Sequence, residues 1–593
     1  MALKRFLNKN QNLIGTGLLL LVIMIFTAVR YDYYFDLNDD VLMKDILAGV
    51  YTGVPEGRNI QMLWLVSAPI SLFYRIAGKL PWYGLFLCGC HYLSFGLIIN
   101  RSLTFCNNIF ERSLLLLTEG FLIIGLFLDH LVSAQYTLTC TLLASAAAFL
   151  FFTTDITLPA KEFVKKNVGT VLLVFLAYLI RSEMLLLVLP LICVAGAVKW
   201  GSEEKIFTKD CFVKYLTVIG AIFLGILAGQ VTHNIAYGSN EWRIFTEYFD
   251  NRTELYDFQK IPEYKEHQAF YESVGLTESE RELLENYNFG LDEEIDEKLL
   301  GKIADYAASN RSAEKPFVQR LLESLGSYYR RNVYGPAHNE SDSPWNRVIP
   351  LSYLAVFITA MMIKSKKPLI RFLNIFWKLM FLGAVRTVLW LWLIMRDRVP
   401  VRISHSMYLM ELCILLAMLF IQCRELSCRQ KKKVPLIVFS LYLLTGAAIL
   451  ENSIVTTDQD VAAKAENNIA YQSLYGYLSN EENQNNFYFI DVYSSVGYTE
   501  KMFENVDNSL DNYDIMGGWA CKSPLWRKKL LSFDIINMEE ALVSREDVYY
   551  VQETGADTDW LKDYYQDHGV MIELTLTDTV DNSFEIYEIN RKQ

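Results

Sequence analysis

The 593-residue sequence has no glycine-rich phosphate loop in its C-terminal block, no CxxC pair and no small-residue cleavage site behind its first apolar run. The first absence argues against a nucleotide site there, and the second against a zinc ribbon or a redox dithiol. The third argues for an uncleaved first span with a cytoplasmic N-terminus, because Lys4, Arg5 and Lys9 precede the apolar run 13–29. Cysteine is thin where a disulfide framework would need it. Of the ten, Cys88, Cys90, Cys140, Cys193 and Cys413 lie in apolar runs, and the long hydrophilic loop has none. The net charge is −12, the acid sits mostly in two hydrophilic blocks, 237–345 and 451–593, and Lys and Arg cluster in short connectors. That distribution argues against nucleic acid as a partner.

What the chain has in excess is apolar surface: 52% hydrophobic and 14% aromatic residues are more than one soluble core can hide. Apolar segments occupy 13–29, 60–76, 82–99, 114–128, 131–152, 168–180, 184–198, 212–231, 348–363, 369–395, 407–421 and 434–450. The expected fold is a polytopic α-helical membrane protein of about 11–13 spans. Lys364, Lys366 and Lys367, and Arg424, Arg429 and Lys431 to Lys433, mark cytoplasmic connectors. They put the loop 232–345, the connector 396–404 and the C-terminal block outside. Counting forward from a cytoplasmic N-terminus conflicts with this, since the segments from 60 to 231 are odd in number and would place the large loop inside. One of them must be re-entrant or fused with a neighbour. The short segment 168–180, joined through Arg181 to 184–198, is the first suspect, at the cost of leaving Lys161, Lys165 and Lys166 outside. Beyond the last span, helical patterns at 461–478, 538–543 and 559–568 alternate with strand patterns at 487–492, 548–552, 571–576 and 584–589. The domain map is therefore a membrane domain, 1–451, with a first outside loop at 31–59 and a large helical loop at 232–345, followed by a soluble α/β domain, 452–593.

Chemistry concentrates in 31–57, YDYYFDLNDDVLMKDILAGVYTGVPEG. If this stretch is helical, Asp36, Asp39 and Asp40 share one face, and converging carboxylates act as a base or hold a divalent cation. A solvated acidic loop has the same composition; Asn38, Met43, Gly49 and Gly53 within an ordered amphipathic stretch favour a site. Arg181 and Glu183 interrupt one apolar run, and Asp129 and His130 another just before Gln135. Such groups face a cavity, pair with each other at a helix break, or, for His130, make an interfacial hydrogen bond. Arg396, Arg398 and Arg402 form a basic cluster on the outer side, where arginine forks suit phosphate oxygens; a connector that is cytoplasmic after all would explain them too. Trp242, Arg252, Tyr256 and Asp257 offer an acceptor surface for sugars, or belong to a helix lying on the membrane. The stretch 276–310 reads as a solvated helical cap.

A first span, an outside loop with the Asn38-Asp39-Asp40 run, many further spans and a C-terminal extracytoplasmic α/β domain resemble the GT-C superfamily of membrane glycosyltransferases. The usual Asp-Glu form of the motif is absent, and no Trp-Trp-Asp motif places the chain with the oligosaccharyltransferases. The resemblance implies transfer of a sugar, with inversion, from a polyprenyl-phosphate donor to an envelope glycan, lipid or protein acceptor. Asp39 or Asp40 would be base or metal ligand, with Arg181, Arg396, Arg398 and Arg402 on the donor phosphate. Asp36, His130, Gln135, Glu183, Trp242, Arg252, Tyr256 and Asp257 would line the acceptor side. It implies no cofactor beyond a divalent cation, and the cell membrane as location. A transporter of lipid-linked glycans, which would predict internal repeats, and a noncatalytic envelope assembly protein are the competing expectations.

Overall fold

The computed structural model describes residues 2–314, 316–364, 366–430, 433–506 and 508–592. Lys431 and Lys432 of the basic connector lie outside these residues, as do the side chains of Lys4, Arg5, Lys9 and Arg429. The chain is a polytopic helical membrane protein with a sheet-containing C-terminal domain. In order, the first part comprises α1 (Ala2–Arg30), β1 (Tyr34–Phe35), α2 (Asn38–Ala48), α3 (Trp64–Ile76), α4 (Trp82–Leu103), α5 (Ile109–Val132), β2 (Ser133–Ala134), α6 (Tyr136–Thr153), α7 (Ala160–Lys166), α8 (Val168–Ile180), α9 (Ser182–Trp200) and α10 (Lys209–Ala236). The large loop folds into α11 (Asn240–Thr253), a π-helical turn Glu254–Phe258, α12 (Gln268–Val274), α13 (Glu278–Glu285), α14 (Glu297–Glu314) and α15 (Phe317–Val333). Four long helices follow: α16 (Trp345–Met362), α17 (Pro368–Ile394), α18 (Val401–Gln430) and α19 (Val434–Leu478).

Among the described residues ten helices are long and apolar enough to cross a membrane, or eleven if α7 and α8, bent by 43° at Asn167, form one span. The expected segment 60–76 is not among them. Helix α3 has 13 residues, so it is about 20 Å long against a hydrocarbon core of roughly 30 Å. Both its ends meet the same side of the bundle. Leu63 N–H donates to Leu179 O at the end of α8 (2.8 Å) and Trp64 N–H to His233 Nδ1 near the end of α10 (3.3 Å). At the other end Tyr74 Oη receives the N–H of Tyr83 at the start of α4 (3.0 Å). Helix α3 therefore lies along one face, and the parity conflict resolves there rather than at Arg181. With α3 set aside, parity is met when α7 and α8 together form one crossing separate from α9, and Lys161, Lys165 and Lys166 then share a face with Lys364, Lys366 and Lys367.

Helix α6 is the axis of the bundle. Nearly every residue from Tyr136 to Thr153 is buried, and α4, α8, α9 and α18 pack around it. Its run Ala144–Ala148 is small enough for close helix approach, which in lipid takes the place of a hydrophobic driving force.

Helix α19 runs unbroken for 45 residues, through position 451, out of the bundle and into the C-terminal domain. That domain contains β3 (Phe487–Ile490), β4 (Tyr513–Ile515), α20 (Pro524–Leu531), α21 (Met538–Ser544), β5 (Val548–Glu553), α22 (Asp559–Asp567), β6 (Ile572–Val580) and β7 (Phe584–Arg591). The sheet order is β4-β3-β5-β7-β6, parallel on the β4-β3-β5 side and antiparallel beyond. The large loop is not solvated on both sides, as its charge suggests: Leu283, Leu284, Leu300 and Ile303 are fully buried. Asn288 Nδ2 donates to Asp491 (2.7 Å), Gly290 N–H to Met516 O (2.8 Å) and Ser279 to Asp567 (2.7 Å), so loop and C-terminal domain make one covering layer.

Val54→Cys and Lys79→Cys, which flank α3, are expected to react with a membrane-impermeant maleimide from the same face in a cysteine-depleted background. Labelling from opposite faces would make α3 a crossing helix.

Candidate active site

The first loop is held in extended form before α2 begins. Strand β1 pairs in parallel with β2, Tyr34 opposite Ser133 and Phe35 opposite Ala134, and Asp36 N–H donates to Ala134 O (3.1 Å). On its other edge Phe35 N–H donates to Glu500 O (3.0 Å), and Met502 N–H to Tyr33 O (2.7 Å). Lys44, in the middle of α2, is buried between Asp45 (2.6 Å) and Glu500 (2.7 Å). Burial pulls its ammonium pKa down, but the two carboxylates more than offset this and hold it above the usual lysine value. Tyr51 Oη donates to Asp514 (2.9 Å). Gly49 ends α2 at φ 93°, and a Cβ there would lie 2.6 Å from the Pro55 nitrogen, so only glycine fits.

The three aspartates do not converge. Asp36 precedes α2 and faces Lys464 at 3.5 Å, which also binds Asp460 (2.7 Å) and Ser133 (2.7 Å). Asp40 is wholly buried: Oδ1 accepts from Tyr83 Oη (2.7 Å) and from the Tyr136 N–H at the start of α6 (3.3 Å), while Oδ2 has no partner. Burial pushes its pKa well above the ordinary 3.8. Asp39, one residue earlier on the helix, is half-buried and accepts no hydrogen bond from any described residue.

Asp39 lies in the field of Arg181, together with Asp257. Arg181 sits at the break between α8 and α9 and binds Gln61 and Tyr136 Oη, with its guanidinium 4.8 Å above the Tyr136 ring. Gln61 in turn accepts from Tyr136 Oη at 3.0 Å. Glu183 pairs with Arg181 at 3.2 Å and is largely exposed. Arg402, in the first turn of α18, acts on Asp36 and on Tyr136 and makes no ion pair with a described residue. Asp39 and Arg181 thus act on one another, and Arg402 acts on the neighbouring Asp36 and Tyr136, at one membrane face beneath the covering layer.

The remaining candidates fall elsewhere. Arg396, Arg398 and Arg402 share this face; Arg402 acts on Asp36 and Tyr136, and Arg398 reaches the field of Arg181 through Asp257. Arg396 stacks on Trp392 (4.5 Å) and Phe258 (5.4 Å), and Arg398 pairs with Asp257 (2.6 Å), along a separate cleft of about 750 Å³. Trp242 is buried against Tyr237 and Phe245 and offers no surface to an acceptor. Tyr256 donates to Leu284 O (2.6 Å) and packs at a tilt on Tyr287, with the Arg252 guanidinium 5.7 Å from its ring centre. His130 is hydrogen-bonded to His405 inside the bundle (2.8 Å), and Gln135 caps α6 by accepting from Thr137 and Leu138 N–H. Gln61, Tyr83, Tyr136 and Lys464 belong to the site and carry no motif; the one signal for Lys464 is a basic residue among acids on a helix leaving the membrane.

For a metal, the donor set near Asp39 is poor: Asp40 is turned into the core, Asp36 is held by Lys464, and Asp39 stands beside arginines. Among the described residues the group of three that could close on an ion is Glu280, Asp292 and His568, where the large loop meets the C-terminal domain.

No family model matches the chain, and a search of curated proteins finds no match. Among solved structures, the crystal structure of ArnT from Cupriavidus metallidurans in the apo state is similar to it, at 10% identity and a TM-score of 0.39, over 96% of this chain and 97% of that one. A score that low leaves the functional reading to the residues of the site.

Below a pH of about 3.8 the folded and unfolded chains both hold the Asp40 proton; as pH rises the unfolded chain loses it and the folded one keeps it, so stability falls until the raised folded pKa is passed. Asp40→Asn removes that decline. Its melting temperature relative to wild type is expected to rise between about pH 5 and about pH 8, whereas a constant difference would mean Asp40 is ionised in the fold. Lys44→Met, which strands Asp45 and Glu500, is expected to cost about 3–5 kcal/mol, read as a lowered melting temperature.

Proposed function

We propose that the chain is a membrane glycosyltransferase that moves a sugar from a polyprenyl-phosphate donor to a cell-envelope acceptor on the outer face. The observation that carries this reading is the half-buried Asp39, without a hydrogen-bond partner among the described residues, in the field of Arg181 and beside Tyr136, on which Arg402 also acts, at a membrane face closed over by a folded layer. Asp39 is the base, and Asp40 is a protonated positioning residue that fixes α2 against Tyr83 and the start of α6. The acceptor hydroxyl attacks the anomeric carbon, its proton passes to Asp39, the bond from that carbon to the phosphate oxygen breaks, and the phosphate leaves on its lipid. Arg181 and Arg402 stabilise the charge that develops on it, and Gln61 and Tyr136 fix the Arg181 fork. Arg398 and Asp257 frame the neighbouring cleft, where an acceptor can enter. No step is routed through a metal, since Asp39 stands in the field of Arg181 while Asp36 is held by Lys464 and Asp40 is turned into the core. Basic connectors on the opposite face support a cytoplasmic location for that face and for the N-terminus.

Turnover of a panel of labelled polyprenyl-phosphate sugars by the purified protein is the test. Asp39→Asn and Arg402→Gln are each expected to lower it by about 10²-fold or more, and Asp40→Asn by much less. Equal loss in both aspartate variants at equal folded yield would return Asp40 to the chemistry. No turnover of any donor by wild type would favour a transporter.

A further inference from the structure

The ends of the spans opposite the candidate active site enclose a cavity of about 1070 Å³. Four helices connect the two. Helix α4 runs from Tyr83 to Arg101, α6 from Tyr136 to Thr153, the stretch leading into α9 from Arg181 to Lys199, and α18 from Arg402 to Arg424. The 18 residues of α6 alone separate the two sites by about 27 Å, so they open on different faces of the membrane.

Eight lysine or arginine side chains line this cavity against two carboxylates, Asp155 and Glu425. Loop charge at a membrane face is ordinary, but these cations are not in loops alone and are held by neutral groups. Lys199 Nζ donates to Phe152 O (2.8 Å) and Arg101 Nε to Thr153 Oγ1 (2.9 Å). Lys378 Nζ donates to Ser202 Oγ (2.8 Å), Arg371 Nε to Ala360 O (2.8 Å), and Arg424 stacks over the Phe105 ring (5.7 Å). Asp155 is engaged by the N–H and hydroxyl of Thr157, and Glu425 reaches Arg371 at 3.7 Å. Apart from Glu425 beside Arg371, these partners are neutral, and they fix the side chains in place. Concentrated positive charge beside hydrocarbon is costly until an anion joins it, and guanidinium forks and ammonium groups held in this way match phosphate oxygens. Part of the wall is apolar, and Ile370 and Ile421 on it are exposed, which leaves a route for an acyl chain.

We infer that this cavity binds a phosphate-bearing anion of two or more negative charges, presented by a lipid headgroup or as a free polyphosphate. The site is distinct from the transferase centre, and the inference does not rest on that reading.

The delipidated protein would be offered a diphosphate-bearing anionic phospholipid (cardiolipin), phosphatidylcholine and inorganic tripolyphosphate. Retention would be read by native mass spectrometry and stabilisation by melting temperature, for wild type, Lys378→Gln/Arg424→Gln and the charge-conserving Lys378→Arg. Both substituted side chains are accessible enough for the fold to tolerate neutral replacements. Preferential retention of cardiolipin, weakened about tenfold or more by the double neutral variant and kept by Lys378→Arg, supports the inference and assigns a lipid source. Tripolyphosphate binding with the same variant pattern supports it and assigns a soluble source. Equal affinity for cardiolipin and phosphatidylcholine without tripolyphosphate binding, or binding that the double variant leaves unchanged, overturns it. Should the double variant fail to fold, wild type must still prefer a polyphosphate ligand to phosphatidylcholine; absence of that preference also overturns it.

Discussion

Four residues of extended chain, Tyr33 to Asp36, hold the candidate site together. A loop entering a bilayer face cannot leave its backbone groups unpaired, and this one pairs on one edge with the α5–α6 turn and on the other with the C-terminal domain at Glu500 to Met502. The pairing sets where α2 starts, and so which face Asp39 and Asp40 present. It also makes the soluble domain part of the site: through Lys44, Glu500, Tyr51 and Asp514 the domain grips α2 directly rather than hanging from its tether. A site built in this way is assembled only when membrane bundle and covering layer have both folded.

Much of the architecture was legible in the sequence because lipid enforces long apolar runs. The spans, the large helical loop and the alternation of helices and strands after the last span all appear there. The segment 60–76 was misread because its composition is apolar enough for a crossing; its 13-residue helix and the hydrogen bonds that bring both its ends to one face are tertiary facts. The C-terminal helix was read only from 461 because charged residues interrupt its apolar pattern, although the helix itself never breaks. In the covering layer Leu and Glu at helical spacing suggested solvent on all sides, but α13 packs on α22 of the C-terminal domain and α14 on α11 within the loop.

The site was legible as a neighbourhood and not as a geometry. Adjacent residues on a helix point about 100° apart, so Asp39 and Asp40 cannot share a role, and the sequence offers no way to say which faces Tyr83. Buried Lys44 and Asp40 disguise the inner face of α2, since polar letters there read as solvent-facing. The three arginines of 396–402 are close in sequence, but a turn and a helix start send one to an aromatic pair, one to Asp257 and one toward Tyr136. Trp242 follows the same logic in reverse: an aromatic residue among charged ones suggested a sugar platform and proved to be core.

Helix α6 links the two polar ends of the bundle by its own electrostatics. Its N-terminus, with unsatisfied N–H groups and partial positive charge, lies at the candidate site, where the Tyr136 N–H reaches Asp40 and Gln135 caps the next turn. Its C-terminus presents carbonyls and partial negative charge, and Phe152, Thr153 and Thr154 use them to bind Lys199 and Arg101. A helix buried on all sides has no water to satisfy these ends, so each end must recruit side chains of the opposite sign from its neighbours. At the first end a single carboxyl group can do this without an ion, by keeping its proton. At the second the recruited groups are Lys199 and Arg101, donors through the N–H groups they carry, and the guanidinium does not give up its charge. The orientation of one fully buried helix thus accounts for a hydrogen-bond-accepting carboxyl at one membrane face and for the donors Lys199 and Arg101 at the other.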